Sequence, residues 1–184
     1  LRDLEAFGIA NDQRETDRSK KMLNLERDTA ELVSILIRSS KARKILEIGT
    51  SNGFSTIWLA KAAGPDCEIV SIDRDPAKSA MARENLTRAG LLDRVDLRIG
   101  EATSIVAELE GPFDLVFFDG DRTTAPEQLK LLLPKLAPTA LVLADNALSH
   151  PQEIAGYLDA IHKLGEFDHV VVPVGKGLSI ACRK

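Results

Sequence analysis

The stretch Lys44-Ile45-Leu46-Glu47-Ile48-Gly49-Thr50-Ser51-Asn52-Gly53-Phe54-Ser55-Thr56-Ile57-Trp58-Leu59-Ala60 reads as a strand, a glycine-punctuated turn and a helix in immediate succession. Ile45, Leu46 and Ile48 make a short apolar run suited to a buried parallel strand, and Phe54, Ile57, Trp58 and Ala60 fall near helical spacing. Gly49 and Gly53 lie between them, where the missing Cβ lets backbone approach a ligand. Ligands of open α/β sheets bind at such corners, beyond the carboxyl ends of the strands, so a small molecule is expected on this turn.

The glycine spacing narrows the choice of ligand. In a dinucleotide fingerprint, G-x-G-x-x-G, the second and third glycines would fall on Ser51 and Phe54, and a bulky Phe cannot permit close helix–strand packing. No Gly-Lys-Ser/Thr follows Gly53, so a phosphate-cradling P-loop fails as well. What remains is E-x-G-x-x-x-G from Glu47 to Gly53, with Asp73 ending the next apolar run about twenty residues on, where a ribose diol needs a carboxylate acceptor. These features resemble the S-adenosylmethionine site of class I methyltransferases. The plainer alternative is an acidic residue that only caps a strand beside a glycine turn.

Composition bounds the rest. A chain of 184 residues, 44% of them hydrophobic, suits one globular domain over residues 1–184, with the weakly patterned residues 1–18 as an N-terminal arm. The formal net charge is −4, and the basic clusters Lys20-Lys21 and Lys41-Ala42-Arg43-Lys44 read as solvated helix ends. Neither nucleic acid nor an anionic membrane is therefore an expected partner, and one Trp and one Tyr offer no base-stacking cluster. Cys67 and Cys182 are too few for a disulfide framework and have no metal-thiolate spacing, which favours a reducing cytoplasm. No apolar run approaches the roughly eighteen residues of a membrane helix, and the numbered residues hold no secretory leader. The chain begins at Leu1, so a start methionine is expected ahead of it.

Taken in order, Lys20 to Ser40 carries Met22, Leu25, Leu32, Val33, Leu36 and Ile37 at spacings of three and four, which predicts an amphipathic helix. Beyond the turn, strands are expected at 68–73, 95–99, 113–118 and 139–144, alternating with helices at 76–89, 102–109, 126–136 and 151–164. Asp75-Pro76 and Gly90 supply start and stop signals for the helix between them. This alternation predicts a three-layer α/β sandwich around a mostly parallel, Rossmann-like sheet of about seven strands. The last two β runs, 169–172 and 178–182, are joined by only Pro173-Val174-Gly175-Lys176-Gly177. A parallel crossover needs a dozen or more residues, so these two must form an antiparallel hairpin.

Asp119 ends the run Phe113-Asp114-Leu115-Val116-Phe117-Phe118, and Asp145-Asn146 end Leu141-Val142-Leu143-Ala144. At carboxyl ends of neighbouring strands the three can converge beside the cofactor. Two carboxylates and an amide oxygen are hard ligands for Mg²⁺, Mn²⁺ or Ca²⁺ and poor ones for tight zinc. Taken singly, each also reads as a turn or cap residue.

Together with Ser71-Ile72-Asp73-Arg74-Asp75, Ile99-Gly100-Glu101-Ala102, Phe118-Asp119-Gly120-Asp121 and Gly177-Leu178-Ser179-Ile180-Ala181-Cys182, the motifs resemble the cation-dependent O-methyltransferases of the catechol and caffeoyl-CoA type, from about Met22 onward. The resemblance implies S-adenosylmethionine contacts at Glu47, Gly49, Ser51, Gly53, Ser55, Asp73, Arg74, Gly100, Ala102 and Asp119. It implies a divalent cation on Asp119, Asp145 and Asn146, a catechol-like or phenolic small-molecule acceptor, and a homodimer. Catalytic roles fall to Asp119, Asp121 and Arg122.

Two departures qualify the resemblance. The family's D-A-D-K motif places a lysine base where this chain has Arg122, and at a pKa of about 12.5 an arginine is neutral to only roughly 10⁻⁶ at pH 7. Arg122 can thus act only as an electrostatic helper, leaving Asp121 or His150 to accept the proton. The usual loop over the acceptor is also short here, Ala147 to Pro151, so the pocket is either open or completed by the N-terminal arm or another subunit. Competing readings are a metal-independent methyltransferase, a non-catalytic S-adenosylmethionine-binding module and, third, an NAD-dependent dehydrogenase.

Overall fold

The computed structural model describes residues 1–184. Its chain runs α1 (Arg2–Arg14), α2 (Arg27–Ser40), β1 (Lys44–Ile48), α3 (Phe54–Ala63), β2 (Glu68–Asp73), α4 (Pro76–Ala89), β3 (Val95–Ile99), α5 (Ala102–Glu108), β4 (Phe113–Phe118), α6 (Ala125–Leu132), β5 (Leu136–Ala144), α7 (Pro151–Lys163), β6 (Phe167–Val172) and β7 (Leu178–Arg183). One seven-stranded sheet takes the order β3-β2-β1-β4-β5-β7-β6. The first five of these are parallel, and β7 lies antiparallel to both β5 and β6. The expected α/β sandwich, reversed hairpin included, is the observed one.

Alternation along the central strands explains their unbroken apolar runs. Ile45, Leu115, Phe117 and Leu143 face a core shared with α2, α3 and α4, whereas Leu46, Ile48, Val116 and Val142 face a second core under α5, α6 and α7. Burial on both faces is what a parallel sheet covered by helices requires. Asp75 caps α4 through the Ala77 and Lys78 N–H groups, and Gly90 ends it in the left-handed conformation, as the sequence signals predict.

One expected helix is shorter. The Lys20–Ser40 pattern holds only from Arg27, and residues 15–26 form an irregular strap containing one short 3-10 turn at Arg18–Lys20. Met22 and Leu25 are buried all the same, because the strap folds down over the sheet edge. Burying such a side chain is worth roughly 1.5–3 kcal/mol, far more than the few tenths per residue that separate helix propensities. The arm before Asp17 is helical, and β5 starts at Leu136 rather than 139, with a register shift opposite Phe113–Leu115.

Candidate active site

The turn after β1 is held by its own backbone. The Gly49 and Thr50 N–H groups both donate to the Ile72 carbonyl, and the Ser51 N–H donates to Asp73 Oδ2 at 2.7 Å. Asp73 Oδ1 accepts a second backbone bond, from Asp75, at 2.9 Å. Gly49 has φ +111°, and a Cβ there would lie 2.5 Å from the Asp119 carbonyl oxygen, so no other residue fits. The β1 turn is thereby pressed directly against the end of β4.

A cleft of about 1000 Å³ opens along this carboxyl edge of the sheet. Of the residues expected to form the site, Gly49, Ser51, Ser55, Asp73, Arg74, Gly100, Ala102, Asp119, Asp121, Arg122 and Asn146 line it. Two expectations are corrected. Gly53 does not face the cleft: a Cβ on it would meet Ala82 at 3.1 Å, so its role is close packing of the turn on α4. Glu47 does not face it either. Its carboxylate is wholly buried behind the turn, where Oε2 accepts from Thr56 at 2.5 Å and Ser71 at 2.6 Å, and burial pushes its pKa up to about 7.

The strap forms the opposite wall. Asp12 on α1 accepts from the Met22 and Leu23 N–H groups at 2.7 and 2.8 Å, Ser51 Oγ donates to the Met22 carbonyl at 2.7 Å, and Lys78 Nζ donates to the Lys21 carbonyl at 2.8 Å. Arg18, Lys21, Met22 and Leu25 thus line the cleft, which the N-terminal arm completes in place of the shortened loop after Asn146. Closure by the N-terminal arm is one of the expected alternatives, but the course of the strap cannot be read from the sequence, because it is fixed by side chains ten or more residues away.

At the β4–β5 end lies the acid pair. Asp145 is 3% exposed and sits just behind the cleft wall that Asp119 and Asn146 line. Burial, then the charge of Asp145, drives the Asp119 carboxyl well above its usual range, while burial lifts Asp145 to about 6. Asp145 Oδ2 accepts from Asn146 Nδ2 at 2.8 Å, but its buried Oδ1 has no partner. No third carboxylate, cysteine or histidine joins them in metal-binding geometry, so the donor set stays at two carboxylates and one amide. An orphaned buried carboxylate oxygen beside a second, unneutralised acid fits a hard divalent cation.

Two neighbours were not foreseen. The β6–β7 turn lies at the same end of the sheet because β7 is reversed, and its Lys176 Nζ reaches Glu26 Oε1 at 2.5 Å. The Lys176 carbonyl accepts from the Leu148 and Ser149 N–H groups, tying the turn to the loop after Asn146. Arg122 is locked to Glu153 Oε2 through Nε at 3.1 Å and Nη2 at 2.7 Å. Asp121 turns to the Thr123 N–H and hydroxyl, and those bonds hold its pKa below the ordinary value.

An open α/β sheet whose cleft pairs a backbone-held glycine turn with two acids on adjacent strand ends is the architecture of Rossmann-like methyltransferases. Residues 5–163 match the model of the O-methyltransferase family, and the chain belongs to that family. It is 40% identical over 115 residues to a catechol O-methyltransferase of Mycobacterium tuberculosis, covering 62% of this chain and 52% of that protein. Identity to a catechol O-methyltransferase of Niastella koreensis is 33% over 130 residues, covering 68% of this chain and 59% of that one. The aligned region therefore spans little more than half of these relatives. The fold matches the crystal structure of an O-methyltransferase from Bacillus cereus in complex with S-adenosylhomocysteine, with a TM-score of 0.85 and 25% identity over 100% of this chain and 90% of that one.

Proposed function

We propose that the chain is an S-adenosylmethionine-dependent O-methyltransferase acting on a hydroxyl of a small catechol-like or phenolic acceptor, with a divalent cation held by Asp119, Asp145 and Asn146. The observation that carries this reading is the acid pair with its orphaned Asp145 Oδ1, set in one cleft with the Gly49 turn and Asp73. When bound, the cofactor supplies a methyl group on a sulfonium and the cation supplies a Lewis acid that acidifies the acceptor hydroxyl. Asp73, fixed by two backbone N–H groups, presents its carboxylate to the ribose diol. Gly49 lets the methionine portion lie against the backbone, and Asp119, on the adjoining strand end, sets the acceptor oxygen close to that portion.

Arg122 cannot take a proton, and its bonds to Glu153 keep it as a fixed positive charge on the acceptor side. His150 is held neutral by burial and the nearby Arg122, which leaves its imidazole open to a proton released from the acceptor. A homodimer is part of the proposal, on the family resemblance; a monomer mass by light scattering at micromolar concentration overturns it. Cytoplasmic placement fits two free cysteines, and no helix is long and apolar enough to cross a membrane.

The test follows S-adenosylhomocysteine release from catechol and related phenols with and without chelator. Turnover that chelator stops and Mg²⁺ restores is expected. Full-rate transfer in excess chelator removes the cation from the mechanism, and absence of turnover with every acceptor removes the activity.

A further inference from the structure

Three cations ring the acceptor end of the cleft. Arg18, from the 3-10 turn of the strap, stands across the mouth from His150, with Nη2 at 3.5 Å from Nε2 although 132 residues separate them. The charges of Arg122, in the loop after β4, and of Lys176, in the β6–β7 turn, reach the same imidazole, and burial, then the three cations, hold His150 below its ordinary pKa against the charge of Glu153. All of them line the cleft that contains Asp119 and Asn146.

Their neutralisation is uneven. Arg122 has Glu153 and Lys176 has Glu26, at 2.7 and 2.5 Å. Of the remaining acids of this side, Asp121 is engaged with Thr123, and Asp119 belongs to the acid pair, where burial and Asp145 disfavour its charge. Arg18 has no carboxylate: Asp17 beside it turns back to the Ser19 N–H at 3.0 Å and hydroxyl at 2.7 Å. Its side-chain hydrogen-bond partner is the His150 imidazole, and Glu153, already bonded to Arg122, feels its charge only from beyond ion-pair distance. An unpaired guanidinium fork therefore faces the cleft mouth beside a second, half-used one, and the planar group that such forks match is a carboxylate.

We propose, resting on the O-methyltransferase reading above, that Arg18 makes the site selective for acceptors that carry a carboxylate at the end remote from the methylated hydroxyl. The acceptor class is then an acidic phenol or catechol, with its hydroxyls toward Asp119 and Asn146 and its anionic end toward Arg18 and Arg122.

The probes are 3,4-dihydroxybenzoate and its methyl ester, which lacks that charge and carries the more acidic hydroxyls, so intrinsic reactivity works against the expected preference. The acid is expected to have the higher kcat/KM, by about tenfold at low salt, mostly through KM, and the preference should shrink toward unity near 0.5 M salt as screening shortens to a few ångströms. Arg18→Gln should lower kcat/KM for the acid about tenfold more than for the ester, and Arg18→Lys should recover part of the difference. Equal rates for acid and ester in the unaltered protein, or a ratio that Arg18→Gln leaves where it was, overturns the proposal while leaving methyl transfer standing. If neither compound is methylated, the catalytic reading fails separately. Calorimetry of the two compounds on protein loaded with S-adenosylhomocysteine then reads the charge preference directly, and equal affinities overturn it.

Discussion

The two ends of the cleft are built on opposite plans. At the cofactor end the backbone of the turn is already paired: the Ser51 and Asp75 N–H groups donate to Asp73, and the Gly49 and Thr50 N–H groups to Ile72. At the acceptor end burial raises both acids and the charge of Asp145 raises Asp119 further, one buried carboxylate oxygen has no partner, and the fixed cations nearby are mostly tied to other carboxylates. The first end is organised before anything binds, whereas the second leaves charge to be balanced by what arrives. Preorganised hydrogen bonding lowers the cost of ordering a ligand, and an uncompensated acid pair is kept at some expense to the stability of the fold.

Substitutions can pull this contrast apart. The largest effect is expected at the acceptor end, where Asp145→Ala should cut transfer at least a hundredfold, the several kcal/mol a Lewis acid supplies, while S-adenosylhomocysteine affinity by calorimetry stays within about twofold. Loss of both together would mean that the two ends are not separable. Next comes Glu47, whose folded pKa near 7 lies above its ordinary 4.5. A raised acid pKa penalises the ionised fold, so the penalty is absent below about pH 4.5, grows through pH 7 and reaches about 3 kcal/mol beyond it. Thermal melts should show the unaltered protein losing stability over that window and Glu47→Gln losing less; parallel curves for the two would place the titration elsewhere.

At the cofactor end Asp73→Asn should weaken S-adenosylhomocysteine by roughly 1.5–3 kcal/mol, the value of a charge-assisted hydrogen bond. An unchanged affinity would leave Asp73 only its structural bonds. The smallest change belongs to Arg122→Lys. Because the Glu153 partner is half-exposed and such pairs contribute little, kcat/KM should hold within roughly threefold or rise, and a loss beyond tenfold would show that both guanidinium bonds are required.

Those parts of the molecule whose cause is local were legible in the sequence. The β1 turn, the α4 caps and the reversed hairpin follow from Gly49, from Asp75 and Gly90, and from a five-residue connection that no crossover fits. Asp119 and Asn146 could be placed from strand ends alone, since topology brings those ends together. What escaped depends on contacts between distant residues. Met22 and Leu25 mimic a helical stripe, yet Leu23 between them adopts a left-handed φ of 50° and Asp12 fixes the chain there. Glu47 matches a motif position, but its environment is set by Thr56 and Ser71 on two other elements. Glu26, Lys176 and Arg18 meet the site only through a turn and a strap whose destinations no spacing announces.

The reversed strand also governs the order in which the molecule can be completed. β7 follows β6 in sequence yet sits between β5 and β6, so as the polypeptide emerges from a ribosome β5 has an open edge and β6 has no neighbour to pair with. Only Leu178–Arg183 close that gap. Their arrival also seats Lys176 beside Glu26 and ties the turn to Leu148 and Ser149. A nascent chain therefore carries an unprotected sheet edge until β7 has emerged, the kind of surface that pairs with other chains and draws chaperones. Seating of Lys176 at the cleft and protection of the sheet edge both wait on the same strand.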